Sequence, residues 1–369
     1  MRIGYQIDRL DASRGGAETY VVRMVRRLLA DGHEVHVFTG RAVDPPPGAI
    51  AHAVVPYGPD AAAAAVRSAG LDVVVGSGRC LGFDVLQPHG GTLAATWRAN
   101  HALVRSPVLR GLVRAFDAVN PKPLAAAALE RRQYGQASPR PRFLAVSRRV
   151  ADDMIRDHGV PADRLHVVHN GVDAEAFSPG RCRTVRAGVR RGWGLPDDTV
   201  CFLLAAHNFR LKGGRELAEA AELLAGRRRG LAVVVAGRPP DPLTRLRFGG
   251  RLRFVGPVAE PITAFAAADA YVHPTWYDPC SLAVLEAWAC GLPVITTRCN
   301  GAAELMTDGV EGFVLDAPSD VAGLADRMER LLDAGLRATT GAAARRLAET
   351  RTEDRHLREV TEVLAAARR

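Results

Sequence analysis

Arg210 and Lys212 flank Leu211 directly after the apolar run Val200–Ala206 and directly before Gly213 and Gly214. If that segment is extended, both cations project to one side, and the paired glycines let a helix begin close to a bound group. Two cations beside a helix N-terminus suit a diphosphate. Composition sharpens this reading. Of the 49 basic residues only Lys122 and Lys212 are lysine, so Lys212 is the only compact ammonium in the second half of the chain. Further on, Tyr271-Val272-His273-Pro274-Thr275-Trp276-Tyr277-Asp278-Pro279-Cys280-Ser281 leads into Leu282-Ala283-Val284-Leu285-Glu286. Asp278 falls in a loop, and Glu286 lies inside a helix that Ser281 can cap. Carboxylates accept paired hydroxyls, so the vicinal diols of ribose or hexose are natural ligands for them. Cations for a diphosphate and carboxylates for a sugar together describe the handling of a sugar nucleotide. When a glycosyl–phosphate bond breaks, the departing charge must be neutralised.

The first half carries a parallel device. An opening strand is followed by Ser13-Arg14-Gly15-Gly16-Ala17-Glu18, whose glycines allow a tight turn and whose helix start offers amides to a phosphate or hydroxyl. It is not G-x-G-x-x-G, so it does not indicate a nicotinamide cofactor. D-x-D, G-x-S-x-G, H-E-x-x-H and His/Cys metal spacings are absent, and no metal or other cofactor is expected beyond the sugar nucleotide as co-substrate.

Strands must place these groups. Apolar runs predict strands at Arg2–Ile7, Glu34–Thr39, Ala51–Val55, Asp72–Val75, Asp84–Gln87, Arg142–Val146 and Leu165–His169. In the second half they predict Val200–Ala206, Leu231–Ala236, Leu252–Val255, Ala270–His273, Pro293–Thr297 and Gly312–Leu315. Helices are predicted at Ala17–Ala30, Gly214–Ala225, Ile262–Ala267, Ser281–Cys290 and Asp320–Asp333. Strands alternating with helices at this spacing mean parallel sheets with right-handed crossovers. The fold class is therefore α/β: two Rossmann-like, doubly wound parallel-sheet domains facing a cleft. The expected division is 1–177, 178–350 and a C-terminal helix at 351–369 that can cross back to the first domain. Residues 178–199 read as the boundary, partly helical at Arg183–Arg191.

The chain has 369 residues, 47% of them hydrophobic and 24% charged, with a net charge of +9 and a pI near 9.7. This excludes a disordered or collagen-like chain, and six cysteines with no C-x-x-C pair exclude a disulfide-stapled scaffold. The positive charge is spread over both halves without an aromatic-basic face, so nucleic acid is not expected as a partner. No run of about 18 apolar residues suggests a membrane span, and the N-terminus reads as a strand rather than a leader. The expected location is cytoplasmic. Arg98, Arg105, Arg110 and Arg114 lie among Leu103, Val104, Val108, Leu109, Leu112 and Val113, so a helix there could rest on the inner face of an anionic membrane or pack on its own domain.

The D-x7-E element, with Gly291-Leu292-Pro293-Val294-Ile295-Thr296-Thr297 after it, resembles the E-x7-E region of family 4 retaining glycosyltransferases of the GT-B fold. Further matches follow in the family's order: Gly15-Gly16-Ala17-Glu18, Ala145-Val146-Ser147, His169-Asn170-Gly171-Val172-Asp173, Arg210-x-Lys212-Gly213 and Val235-Ala236-Gly237. Within the family, the chain looks most like bacterial lipopolysaccharide core glucosyltransferases and related envelope glycan enzymes. The resemblance implies a retaining, metal-independent transfer of a hexose from a UDP- or GDP-linked sugar to a glycan or lipid-linked glycan. It implies that Glu286 binds the donor ribose, that Asp278 faces the transferred sugar with Pro279, Cys280 and Ser281, and that Arg210 and Lys212 hold the diphosphate. Gly16, Gly237, Val284 and Leu285 would complete the nucleotide contacts. His89, in Gln87-Pro88-His89-Gly90-Gly91, would contact the sugar. Asp278 departs from the family's glutamate and is one methylene shorter. A nucleotide-sugar 2-epimerase of the same architecture, or a non-catalytic basic binding module, are the alternative readings.

Overall fold

In the computed structural model, which describes residues 1–11, 15–54, 58–136, 141–228 and 230–368, the chain forms two units. One comprises Met1–His169 with Asp354–Arg369; the other comprises Asn170–Glu353. Ser13, Arg14 and Val55, named above, lie outside the described residues.

The first unit contains β1 (Arg2–Ile7), α1 (Gly16–Ala30), β2 (Glu34–Thr39), β3 (Ile50–Ala53), α2 (Pro59–Ser68), β4 (Val73–Gly76), β5 (Val85–Leu86), α3 (Leu93–Ala102), α4 (Pro107–Val119), α5 (Pro121–Tyr134), β6 (Arg142–Ala145), α6 (Arg148–His158) and β7 (Leu165–Val167). The second contains α7 (Pro179–Gly192), β8 (Val200–Ala205), α8 (Gly214–Ala225), β9 (Leu231–Ala236), α9 (Pro242–Phe248), β10 (Arg253–Gly256), α10 (Pro261–Ala267), β11 (Ala270–His273), α11 (Leu282–Ala289), β12 (Val294–Thr297), β13 (Gly312–Leu315), α12 (Val321–Arg330) and α13 (Ala334–Glu349). From Asp354 on, α14 (Glu353–Ala366) belongs to the first unit.

Both sheets are wholly parallel. The first runs β3-β2-β1-β4-β5-β6-β7 and the second β10-β9-β8-β11-β12-β13. Strand order therefore reverses at β1/β4 in one unit and at β8/β11 in the other. Ligands of open α/β sheets bind beyond the carboxyl ends of strands at such points. The central strands are buried on both faces, which is why they read as unbroken apolar runs, whereas the edge strands β3, β7 and β10 are exposed or half-buried. In the second unit α8 and α12 cover one face, with Leu217, Leu224, Leu324 and Met328 fully buried against Phe202, Val235 and Phe313.

The boundary between units falls at 169/170, eight residues before the predicted 177/178. Asn170 donates to the Cys280 carbonyl, and Arg345 donates to the carbonyls of Ala174 and Phe177, so 170–177 is fastened to the second unit. The predicted boundary stretch is itself a helix of that unit. Ser178 caps α7, which packs along α10. Val172 and Thr352 pair in parallel: the Val172 amide donates to Arg351 O and the Glu353 amide to Val172 O. The outgoing and returning chain segments thus run side by side.

Candidate functional site

The reversal point of the second sheet gathers the chemistry. After β8 the chain does not stay extended. Asn208 O accepts from the Lys212 amide, Asn208 Oδ1 from the Leu211 amide and Phe209 O from the Gly214 amide, so 208–213 is a compact turn. The alternation argument for Arg210 and Lys212 therefore fails, and the two cations differ in setting. Arg210 is exposed and makes no ion pair among the described residues. Lys212 is half-buried and its Nζ lies 2.5 Å from Asp278 Oδ2. The turn needs its glycine: Gly213 has φ +76°, and a Cβ there would meet Pro274 O at 2.0 Å. The loop after β11 is tied to the same turn by Thr275 Oγ1 donating to Leu211 O and by the Trp276 amide donating to that oxygen.

Asp278 is buried, and its backbone is bridged to the segment around Asn300. Its Oδ2 also lies 2.9 Å from His273 Nε2. Burial alone would raise the Asp278 pKa, but the Lys212 ammonium and the His273 hydrogen bond outweigh it and hold the carboxyl well below the usual range. Burial lowers the His273 pKa, so the ring is neutral. Because Nε2 donates to the carboxylate, Nδ1 is the acceptor, and the Tyr271 hydroxyl at 3.2 Å donates to it. Burial pushes the Tyr271 phenol well above its ordinary range, and the negative charges of both Asp278 and Glu286 push it further up.

Glu286 sits one turn into α11 with only 8% of its surface exposed. Ser281 precedes this helix, but its side chain makes no capping bond; its amide donates to Asn300 Oδ1 instead. The first-turn amides of Leu282, Ala283 and Val284 lack intrahelical acceptors, as at any helix start. Val284 and Leu285 are core side chains with no exposure, and the Leu285 amide is committed to Ser281 O, so Leu285 offers a ligand no donor. Pro279 is half-buried. The buried Cys280 thiol is pushed up to about 12 and is neutral. Gly237 ends β9 with φ +117°, where a Cβ would lie 2.3 Å from Ala206 O. It thus brings the loop after β9 close to the end of β8.

In the first unit, Gly16 opens α1 and Gly15 precedes it in extended geometry. His89 follows β5 and packs against Tyr20, with ring centroids 3.7 Å apart and the planes tilted by 45°. Burial pushes its pKa down to about 3, so the ring is neutral. Sequence reasoning missed His273, Tyr271 and Asn300, which orient Asp278 and α11. The available signals were a histidine ending an apolar strand and an Asn-Gly pair after β12. Among the described residues no group of three or more His, Cys, Asp or Glu is placed to hold a metal ion. No helix among them is long and apolar enough to cross a membrane.

Residues 14–176 match the family model described as Glycosyltransferase Family 4, and residues 197–334 the one described as Glycosyl transferases group 1. D-inositol 3-phosphate glycosyltransferase 1 of Catenulispora acidiphila is 32% identical over 362 residues, covering 88% of this chain and 84% of the relative. A second glycosyltransferase of that name and organism is 35% identical over 225 residues, with 55% of this chain and 52% of the relative covered. The match thus spans about half the length of several such relatives. Among solved structures, WaaG, a glycosyltransferase involved in lipopolysaccharide biosynthesis, superposes with a TM-score of 0.81 at 19% identity over 98% of this chain and 99% of its own. Anabaena Alr3699/HepE in complex with UDP-glucose superposes with a TM-score of 0.73 at 19% identity over 99% and 100%. At these identities the likeness is one of fold.

Proposed function

The chain belongs to the family 4 glycosyltransferases of GT-B fold, and from that premise we propose that it moves a hexose from a UDP- or GDP-linked sugar to a glycan or lipid-linked glycan with retention of anomeric configuration. The observation that carries this reading is the Lys212–Asp278 pair at the β8/β11 reversal point. Lys212, Arg210 and the first-turn amides of α11 neutralise the diphosphate as the anomeric C–O bond lengthens. Glu286 accepts the ribose hydroxyls, and Asp278 accepts hydroxyls of the transferred sugar. The departing phosphate oxygen takes the proton of the acceptor hydroxyl, which bonds to the anomeric carbon on the same face. These fixed cations do the work of a divalent ion, so turnover persists in EDTA.

The reading is tested with UDP, GDP and their hexose conjugates in thermal shift. A ligand at 100 times its Kd stabilises the protein by about 2.7 kcal/mol. Glu286→Ala abolishes that shift while the unliganded protein still melts cooperatively. A parental shift in this variant removes Glu286 from the site, and turnover lost in EDTA and restored by magnesium removes the metal-free mechanism.

The acceptor side of the reading includes an anionic leaflet. Along α4, Val108, Leu109, Leu112, Phe116 and Val119 are all more than half exposed, and no residue of that helix is buried. Arg114 and Lys122 are exposed on and beside it. An apolar stripe with adjacent cations suits an interfacial helix. Arg98, predicted to share in this, instead belongs to α3 and is spent on Asp157 at 2.7 Å and Asp153 at 3.3 Å. The protein co-floats with vesicles containing anionic lipid, and Leu112→Glu with Phe116→Glu abolishes flotation. Recovery of parent and double variant alike in the protein-only fraction overturns it.

A further inference from the structure

His89 is singled out by its isolation. Its Nε2 is buried and has no hydrogen-bond partner among the described residues. The ring packs against that of Tyr20 from α1, with centroids 3.7 Å apart and the planes tilted by 45°. Tyr20 is itself buried, and its hydroxyl sits in a chain of determined polarity. Gln87 Nε2 donates to the Tyr20 hydroxyl at 3.0 Å. That hydroxyl lies 2.7 Å from Nε2 of His356, on α14. His356 Nδ1 lies 2.8 Å from the carbonyl oxygen of His169, which can only accept, so Nδ1 carries the ring proton. Nε2 of His356 is then the acceptor and the Tyr20 hydroxyl donates to it. Each bond in this chain runs from a donor to an acceptor, and every member but the His169 carbonyl is a buried side chain. Burial keeps His356 neutral, its pKa pushed down to about 4.

Packing needs no such chain. A phenylalanine would fill the place of Tyr20, and an apolar side chain on α14 would fill that of His356, with no buried polar groups to satisfy. The hydroxyl and imidazole fix the rotation of the Tyr20 ring, and Tyr20 is the surface against which His89 rests. We propose that His356 is a positioning residue: through the Tyr20 hydroxyl it fixes the ring against which His89 packs, and so sets the direction in which His89 presents Nε2 to a hydroxyl of the substrate sugar. The inference rests on the reading of His89 as a sugar contact. It assigns the returning helix a part in the chemistry as well as in the fold.

The test compares Tyr20→Phe, His356→Asn, His356→Gln and His89→Gln in the full chain, measuring kcat, KM for the sugar nucleotide, the unliganded melting point and the UDP thermal shift. Asparagine keeps a donor at the Nδ1 position and loses the acceptor; glutamine puts an acceptor near Nε2. Tyr20→Phe and His356→Asn lower kcat by roughly tenfold or more, with KM and the UDP shift unchanged, because a small misdirection of a contact group is costly in turnover. His356→Gln recovers most of the loss. Tyr20→Phe combined with His356→Asn is no slower than either single variant, since both cut the same chain. If kcat falls only in proportion to lost folded protein, or His356→Gln is no better than His356→Asn, the role is structural and the proposal fails. If His89→Gln is slow while Tyr20→Phe and His356→Asn turn over like the parent, positioning fails and the His89 reading stands. If His89→Gln turns over like the parent, the reading of His89 fails and takes the proposal with it.

Discussion

Lys212→Ala lowers kcat by about a hundred- to a thousandfold, the cost of deleting one fixed charge or donor from a site where negative charge develops. The ammonium stands at the reversal point of the second sheet, half-buried, 2.5 Å from a buried carboxylate. In such surroundings a charge acts on a nearby phosphate more strongly than it would in water. The substitution also strips Asp278 of the cation that keeps it ionised, leaving the hydrogen bond from His273. Lys212→Arg does not restore turnover. The planar guanidinium is larger than the ammonium, and the turn at Gly213 packs directly on Pro274, leaving little room for it to adjust. Initial rates at saturating sugar nucleotide, with a melting curve for each variant, check this. A kcat for Lys212→Ala within threefold of the parent would remove Lys212 from the mechanism.

The second large effect is on stability. Arg190→Ala destabilises the second unit by about 3–5 kcal/mol, lowering its melting point by roughly 10 °C. Arg190 is 2% exposed. Its guanidinium donates to the carbonyls of Ala267 at 2.9 Å and of Pro196 and Thr199 at 2.6 Å, and lies 3.3 Å from Asp269 Oδ2. Asp269 also accepts from the Cys201 amide and from Arg186. One side chain therefore ties α7, the end of α10 and the entry to β8 together. Alanine leaves three carbonyls and part of a carboxylate without their donors. Arg190→Lys recovers little, because one ammonium cannot span the fork. Calorimetry of the parent and both variants decides the matter, and a loss below about 1 kcal/mol for alanine overturns it.

The central strands were legible in the sequence because they are covered on two faces, which turns each into an apolar run. Even β5, two residues long, could be placed. Helix α7 was legible only in part, because its buried surface depends on an arginine, and an arginine-rich stretch reads as solvated linker. The Arg210–Lys212 segment was recognised as a cation site but given the wrong shape. Asn208 caps it into a turn, and short capping bonds of that kind leave little periodicity to read. The roles of Asn300 and Asn170 depend on partners 19 and 110 positions away. His356 meets a tyrosine 336 positions distant. No local pattern encodes such a pairing; only the path of the chain brings it about.

That path bears on how the protein is made. The unit spanning Asn170–Glu353 is continuous, so all of it has left the ribosome before the last helix of the other unit emerges. The amino-terminal portion, although synthesised first, must wait with Tyr20 lacking its imidazole partner until residue 356 arrives. Nascent chains arrested before α14 should accordingly hold a folded trailing unit behind an unfinished leading one, reversing the usual order of vectorial folding.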